Sequence, residues 1–179
     1  MIDENAAPTL RSPDIALMLS IVLWGTLLGG IAYSHLVYFP AYLAALPASA
    51  VVVTGPYGLH EGRFWMIIHP LLILSLIFTL LLNWKSPSRR KFVLVSFAIY
   101  VLALVVTQIY FLPELFAFER SAGSSVTPAE WFARGQRWQR LSWIRGAASY
   151  AAFVPLLLAL TRPGPGSNKV VTTGTSTRS

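Results

Sequence analysis

Apolar residues occur in four long runs along the chain, separated by segments that carry most of the charged, proline and glycine residues. The runs cover residues 15–39, 64–84, 92–112 and 141–160. Each approaches or exceeds the roughly 20 residues that an α-helix needs to cross the hydrocarbon core of a bilayer. Hydrocarbon offers the backbone no hydrogen-bonding partner, so such runs cross membranes as helices. The pattern therefore predicts an all-α integral membrane protein, folded as an antiparallel four-helix bundle.

The two ends of the chain differ in character from the four runs. Residues 1–14 are polar, contain Pro8 and Pro13, and are predicted to form a flexible N-terminal tail. Residues 163–179 are rich in Gly, Ser, Thr and Pro and are predicted to be a disordered C-terminal tail. Residues 15–162 are then one transmembrane domain. Its first run is too long, and its leader too acidic, for a cleavable signal peptide.

Charge predicts how the bundle is oriented. The chain is 55% hydrophobic and 12% charged, with a formal net charge of +7. Lys85, Arg89, Arg90 and Lys91 fall in one short loop without an acidic residue, and the positive-inside rule places that loop in the cytoplasm. Both termini are then cytoplasmic as well. Because the basic residues flank membrane spans, no nucleic-acid partner is expected, and the absence of Cys excludes thiolate metal sites and cysteine nucleophiles.

Two local motifs predict helix boundaries and packing. Thr127, Pro128 and Glu130 form a capping box with proline at the first helical position, so the last helix is predicted to begin there, outside the membrane. Gly25 and Gly29 form a G-x-x-x-G pair on the first span, which predicts close approach of another helix. The apolar first outer loop is predicted to fold back over the mouth of the bundle.

Polar residues gather near the outer end of all four spans. His35 lies ~6 Å below the end of the first span, and His69 enters with the second span at a similar depth. Glu114 closes the third span, and Arg145 is the deepest strong charge on the fourth. Ionisable residues in a membrane are costly, so these four are the candidate catalytic or binding site. Arg145 is expected to pair with Glu114 or Glu61, and such a pair could equally serve only to clamp the bundle.

The histidines suggest two kinds of cofactor site. His35 and His69 could be the axial ligands of a b-type haem held between facing helices. Alternatively, a metal could be bound by nitrogen and oxygen donors drawn from His35, His60, His69, Glu61 and Glu114. No tight metal motif or other cofactor signature is present in the sequence, so the cofactor is left unspecified.

A third interpretation needs no cofactor. Aromatic side chains could line a pocket for a planar lipophile, such as a quinone or a phenol, with His, Glu and Arg at its mouth. The residues predicted to line it are Trp65, Tyr38, Tyr110 and Trp138. A histidine or glutamate beside such a ligand could move a proton.

Several short phrases of the sequence carry a family resemblance. They are Glu61-Gly62-Arg63-Phe64-Trp65, His69-Pro70, Tyr110-Phe111-Leu112-Pro113-Glu114-Leu115, Arg137-Trp138, Leu141-Ser142 and Arg145. Over residues 15–160 the chain resembles a group of uncharacterised small bacterial four-span membrane proteins and, more distantly, the anthrone-oxygenase-like family. The resemblance implies four helices and oxidation of an aromatic, phenol-like substrate by dioxygen.

The sequence thus predicts a multi-pass protein of a bacterial plasma membrane that binds a small lipophilic or redox-active ligand in its outward-facing half. Whether it is an enzyme, such as an oxidoreductase or oxygenase, is left open. The alternatives are a non-catalytic accessory or structural subunit of a membrane complex, a homo-oligomer, and a haem-binding subunit. A transporter is less expected, because four spans without repeats offer little machinery for alternating access.

Overall fold

The computed structural model describes residues 11–165, and within this range every regular element is helical. Two π-helical turns continue the first and third spans, and a 3₁₀ turn lies in the loop between the first and second spans. We label the end of the bundle that carries this loop the outer end, and the opposite end the inner end. The α-helices are α1 (Ser12–Tyr33), α2 (Phe39–Tyr42), α3 (Gly62–Leu82), α4 (Pro87–Val106), α5 (Leu112–Glu119) and α6 (Pro128–Leu160). The π turns are Ser34–Tyr38 and Thr107–Phe111, and the 3₁₀ turn is Ala48–Val52. Helix α1 begins three residues earlier than predicted, and the remainder of both predicted tails lies largely outside the described residues.

Four continuous helical segments are long and apolar enough to cross a membrane: Ser12–Tyr42, Gly62–Leu82, Pro87–Glu119 and Pro128–Leu160. Their outer surfaces are covered by large apolar side chains that only lipid could shield, including Val22 (64% exposed), Met66 (71%) and Ile109 (74%). The prediction of an all-α, four-span membrane fold is confirmed.

Local sequence explains where the last helix begins. Thr127 Oγ1 accepts a hydrogen bond from the Glu130 backbone N–H (3.3 Å), and Glu130 Oε2 accepts one from the Thr127 N–H (3.0 Å). This capping box satisfies backbone donors that the first helical turn would otherwise leave unpaired. Helix α6 begins at Pro128, as the motif predicts.

The spans form an antiparallel ring in which α1 packs against α3 and α6, and α4 packs mainly against α6. Interdigitated apolar side chains fill the centre of the membrane-spanning part. They include Leu17, Trp24, Leu72, Val93 and Leu156. Ser20 on α1 is hydrogen-bonded within this core to Ser75 and Thr79 on α3 (2.6 and 2.8 Å). These hydroxyl pairs lock α1 to α3 without leaving a polar group unsatisfied in lipid.

The first outer loop folds back over the bundle and forms a second hydrophobic cluster. Tyr42, Leu43 and Leu46 pack there with Phe118 and Trp138, all of them buried. The loop thus closes the outer mouth, as its apolar composition predicts. The structure therefore has two hydrophobic clusters, one between the four spans and one beneath this loop, and a boundary lies between them.

Close helix packing does not use the predicted glycine pair. A Cβ atom at Gly25 or Gly29 would meet no other atom within 4 Å, whereas one at Gly30 would lie 2.4 Å from the Phe64 ring. At Gly146 a Cβ would lie 3.3 Å from Ile31 Cγ2. The expectation for the G-x-x-x-G pair is therefore wrong within the described chain. Gly30 and Gly146 instead allow α3 and α6 to approach α1.

An arginine at the other end of the bundle joins three segments, which we call the inner clamp (Asp14, Asn83 and Arg89). Arg89 Nη1 donates to Asp14 Oδ1 (2.6 Å) and to Asn83 Oδ1 (3.3 Å), and Arg89 Nε donates to the Arg162 carbonyl (2.8 Å). The Arg89 side chain is 7% exposed and that of Asp14 is 24% exposed. The side chain of Arg89 thus joins the start of α1, the α3–α4 loop and the end of α6.

Candidate functional site

Both π turns lie at the boundary between the two hydrophobic clusters. The Ser34–Tyr38 turn interrupts the first span, and the Thr107–Phe111 turn interrupts the third. Single π turns within α-helices are frequent at functional sites, because they redirect side chains that a regular helix would place elsewhere. Here they direct His35 and Thr107 toward the same stretch of α6.

Arg145 is held between these turns by hydroxyl groups. Its Nη1 donates to Thr107 Oγ1 (2.7 Å) and its Nη2 donates to Ser142 Oγ (3.0 Å), while its Cζ lies 4.4 Å from the centre of the Phe111 ring. The described chain contains two ion pairs, Arg89 with Asp14 and Arg134 with Glu114, so Arg145 has no direct carboxylate partner there.

His35 joins the same network through the other side of Ser142. Its Nδ1 lies 2.8 Å from the Ile31 carbonyl oxygen and its Nε2 lies 3.0 Å from Ser142 Oγ. A carbonyl can only accept, so Nδ1 carries the proton and Nε2 accepts from the Ser142 hydroxyl. The imidazole is 2% exposed, and its centroid lies 4.6 Å from that of the Trp143 ring. The network runs from Arg145 through Ser142 to His35, with Ser142 Oγ accepting from Arg145 and donating to His35.

Glu114 does not take part in this network, which corrects the expected Arg145–Glu114 pair. Its carboxylate receives hydrogen bonds from Arg134 Nε (3.2 Å) and Nη2 (2.9 Å) instead. The physical reason is depth along the helices. Arg145 is level with Thr107, whereas Glu114 lies seven residues, about 10 Å, further along the third span, where it is level with Arg134.

His69 belongs to a separate contact set. Its Nδ1 lies 2.6 Å from the Tyr100 hydroxyl oxygen, and its ring stacks on Trp65 with 5.4 Å between centroids. The structure therefore brings His35 and Arg145 together through Ser142, while His69 and Glu114 each have different partners. The four predicted site residues do not form one site.

The two cofactor interpretations can be tested against these donors. Axial coordination of haem by His35 would require it to lose its Nε2 bond to Ser142, since its other nitrogen is committed to Ile31. Within residues 11–165, no three His, Asp or Glu side chains converge as a metal site would require. The residues present therefore do not fit the proposed His/Glu metal centre, and coordination of haem by His35 would break the hydrogen bond that joins His35 to Ser142.

The predicted aromatic pocket is also different in the structure. Trp138 is 1% exposed and packs in the outer hydrophobic cluster, where its Nε1 donates to the Phe111 carbonyl (3.0 Å). Three other polar residues near the outer ends of the third and fourth spans are exposed: Gln108, Arg137 and Arg140. Trp138 lines neither of two cavities that lie along α1 and α3.

A cavity of about 430 Å³ lies instead between α1 and the start of α3, and we call it the lateral groove. Its walls are mainly apolar, and several rim residues lie on the surface that faces lipid. The groove is lined by Thr26, Gly29, Gly30, Tyr33, Ser34, Tyr38, Leu59, His60, Glu61 and Phe64. It is therefore accessible from the side, within the membrane, as well as from its outer end.

Glu61 supplies the carboxylate of this groove. Ser34 Oγ contacts both the Gly30 carbonyl oxygen (2.9 Å) and Glu61 Oε1. A serine hydroxyl has one proton, so both contacts are hydrogen bonds only when the Glu61 carboxyl group is protonated and donates to Ser34. Burial raises the pKa of Glu61 to about 7, against the opposing effects of the Trp65 indole N–H and the Arg145 guanidinium. Glu61 can therefore exist in either protonation state near neutral pH.

Sequence reasoning gave too little weight to the hydroxyl residues. Ser34, Thr107 and Ser142 connect the charged groups, and we refer to these three with His35, Glu61 and Arg145 as the outer polar layer. Ser142 lies three residues before Arg145 on one helical face, which is a usable signal. Ser34 carries no comparable signal, because only tertiary packing brings Glu61 beside it.

Comparisons with protein-family models, with curated proteins and with solved structures found no match to this chain. The resemblance to anthrone-oxygenase-like proteins consequently stays a prediction.

Proposed function

We propose that this membrane protein binds a small lipophilic aromatic molecule, phenol-like or quinone-like, in the lateral groove. The observation that carries the proposal is a hydrogen-bonded polar pair, Ser34 and Glu61, in a cavity whose walls are mainly apolar and which opens between two spans. Lipophilic molecules concentrate in the bilayer and would reach such a groove from the side. A carboxyl group among apolar walls would fix the orientation of a ligand that has one polar end.

The size of the groove supports this class of ligand. Sites for small molecules usually enclose roughly 300–1,000 Å³, and the groove of about 430 Å³ lies at the lower end of that range. Tyr33, Tyr38 and Phe64 supply aromatic surface for a ring, and Glu61 supplies one polar contact. A single substituted ring with an alkyl tail extending into lipid would use both features.

The proposed setting is the plasma membrane of a bacterium with both termini in the cytoplasm, so that the groove lies in the outward-facing half. Support comes from Lys85, Arg90 and Lys91, which lie on the connection between α3 and α4 or beside it. Cationic residues are retained on the cytoplasmic side of short loops. Labelling of single cysteines introduced at Lys91 and at Tyr57 with a membrane-impermeant thiol reagent in whole cells tests it: only the Tyr57 position should react.

Ligand binding can be tested by filling the groove. Gly29 lines it and has open space around its Cβ position, so Gly29→Leu should occupy the groove without disturbing the helix contacts. Gly25→Leu is the matched control, one turn earlier at an equally open position that does not line the groove. The measurement is quenching of tryptophan fluorescence by decylbenzoquinone in lipid nanodiscs.

Saturable quenching by decylbenzoquinone should be retained in Gly25→Leu and weakened at least tenfold in Gly29→Leu. Equal quenching in both variants would mean that the quinone only partitions into the lipid, and would overturn the proposal. Oxygen uptake with a phenolic substrate, measured on the same preparations, tests the oxygenase activity that the family resemblance implies.

The accessory-subunit alternative has its own support. The His35–Ser142–Arg145–Thr107 network connects the first, third and fourth spans, as expected of a structural clamp. Under this alternative, Ser142→Ala lowers thermal stability in detergent, and no groove variant changes binding of any lipophile. Retained stability of Ser142→Ala together with groove-dependent quinone binding would contradict it.

A further inference from the structure

The lateral groove contains one carboxyl group among its lining residues. The protonation state of this group decides which polar end of a ligand can bind there. Glu61 precedes α3 but makes no side-chain capping bond with it, so its carboxyl group is directed to Ser34 and the groove. Among the groove-lining residues, Glu61 has the only carboxyl group. When it is ionised, it can only accept hydrogen bonds, and the single Ser34 proton cannot serve both Glu61 and the Gly30 carbonyl.

An ionised Glu61 has two acceptor oxygens, and the one proton of Ser34 cannot fill both, so the carboxylate keeps acceptor capacity that a ligand hydroxyl could use. We propose that the lateral groove selects hydroxyl-bearing aromatic lipophiles, phenols or hydroquinones, and that Glu61 is the group that accepts a hydrogen bond from their hydroxyl. This inference rests on the proposed ligand-binding function and deepens it by naming the ligand's polar end. Hydrogen bonds to a carboxylate are roughly twice as strong as neutral ones, so the hydroxyl should be a main determinant of affinity.

The nearby cation favours the ionised form of Glu61, which accepts hydrogen bonds, without forming an ion pair with it. The guanidinium of Arg145 on α6 acts on Glu61 electrostatically and lowers its pKa, although no ion pair forms between them in the described chain. The groups near Glu61 that carry or exchange protons are Tyr33 and Tyr38 on the first span, His60 on its own loop, Arg63 in the first turn of α3, and Arg145. None of these places a second carboxylate in the groove.

The test compares two probes that differ by one hydrogen-bond donor. 4-Octylphenol carries a hydroxyl, whereas 4-octylanisole is its methyl ether and can only accept. A simple phenol ionises only near pH 10, as tyrosine does, so it stays neutral between pH 5.5 and 8.5. Each probe is titrated as a competitor of decylbenzoquinone in nanodiscs of uncharged phosphatidylcholine, at both pH values.

The expected result is a preference for octylphenol over octylanisole of about tenfold or more at pH 8.5, falling to threefold or less at pH 5.5. Glu61→Gln should remove the pH dependence of this preference, because an amide does not ionise. Glu130→Gln is the matched control: it makes the same change at an exposed glutamate that does not line the groove, and it should leave the pH dependence intact. Retained octylanisole binding by Glu61→Gln shows that this variant is folded.

Three results would overturn the inference, and they differ in what they leave standing. Equal binding of both probes at both pH values, still blocked by Gly29→Leu, would leave the groove as a binding site and refute hydroxyl selection. A phenol preference that survives in Glu61→Gln would refute the role of Glu61. Absence of any competition that depends on Gly29 would refute the proposed function together with this inference.

Discussion

Each end of the bundle contains an arginine that joins several helices, and the two arginines have different partners. Arg89, at the inner end, donates to a carboxylate, an amide oxygen and a backbone carbonyl. Arg145, at the outer end, donates to two hydroxyl groups and lies over an aromatic ring. The inner charge is neutralised by Asp14 at 2.6 Å, whereas the described residues provide no carboxylate at that distance from Arg145.

This difference in partners distinguishes a structural contact, around Arg89, from a candidate functional site, around Arg145. A buried ion pair with its hydrogen bonds completed stabilises a bundle only as long as both partners are present. A cation held by neutral groups within a membrane keeps an electrostatic influence on its surroundings, which here include Glu61. We therefore assign a structural role to the inner clamp and place the candidate chemistry in the outer polar layer.

The largest effect is expected at the inner clamp. Arg89→Met should lower the free energy of unfolding by about 3 kcal/mol, because Asp14 and Asn83 lose their donor and the Asp14 charge is left unpaired. Thermal unfolding in detergent, followed by circular dichroism, measures it. Lys91→Ala, at an exposed position two residues away, should change stability by no more than about 0.5 kcal/mol. Equal stability of Arg89→Met and the wild type would show that the clamp contributes nothing.

A smaller effect is expected from the same change in the outer polar layer. Arg145→Met removes hydrogen bonds to Thr107 and Ser142, but it leaves no carboxylate in an ion pair without its cation. Replacement by a side chain of comparable length should therefore cost about 2 kcal/mol, because hydrogen bonds from a charged donor contribute more than neutral ones but no ion is left unpaired. The same unfolding assay compares the two methionine variants. A loss for Arg145→Met equal to that for Arg89→Met would remove the distinction between the two ends.

The smallest effect concerns the pH dependence contributed by Glu61. Its pKa of about 7 in the folded protein exceeds the ordinary value of 4.5, so between these pH values the folded state binds more protons than the unfolded state. The stabilising contribution is thus full below pH 4.5, declines as pH rises, and is lost above about pH 7. We expect a loss of about 1 kcal/mol over this interval, less than the full linkage value because the side chain is partly exposed.

The measurement is the difference in unfolding free energy between Glu61→Gln and the wild type at pH 5, 6, 7 and 8. This difference isolates Glu61 from the other titratable groups. It should shift in favour of Glu61→Gln as pH rises from 5 to 7 and stay constant from 7 to 8. A constant difference over the whole range would show that Glu61 titrates alike in the folded and unfolded states.

Much of the fold was predictable from local sequence, for a physical reason. The length of an apolar run and the presence of a capping box act within one segment, so they predict the spans and the start of α6 without knowledge of their neighbours. The predicted site depended on side chains from different helices. The sequence predicts Glu114 beside Arg145, and in the structure Glu114 pairs with Arg134, which is level with it on the fourth span.

The sequence by itself therefore determined that four helices cross a membrane, because transfer of apolar side chains into hydrocarbon depends on composition and length alone. Only the tertiary structure decided which polar groups meet. The position of the lateral groove depends on how Gly30 lets α3 approach α1, and the partners of Arg145 depend on which hydroxyl groups packing brings beside it. These features arise from packing between segments distant in sequence, where no local pattern specifies the partner.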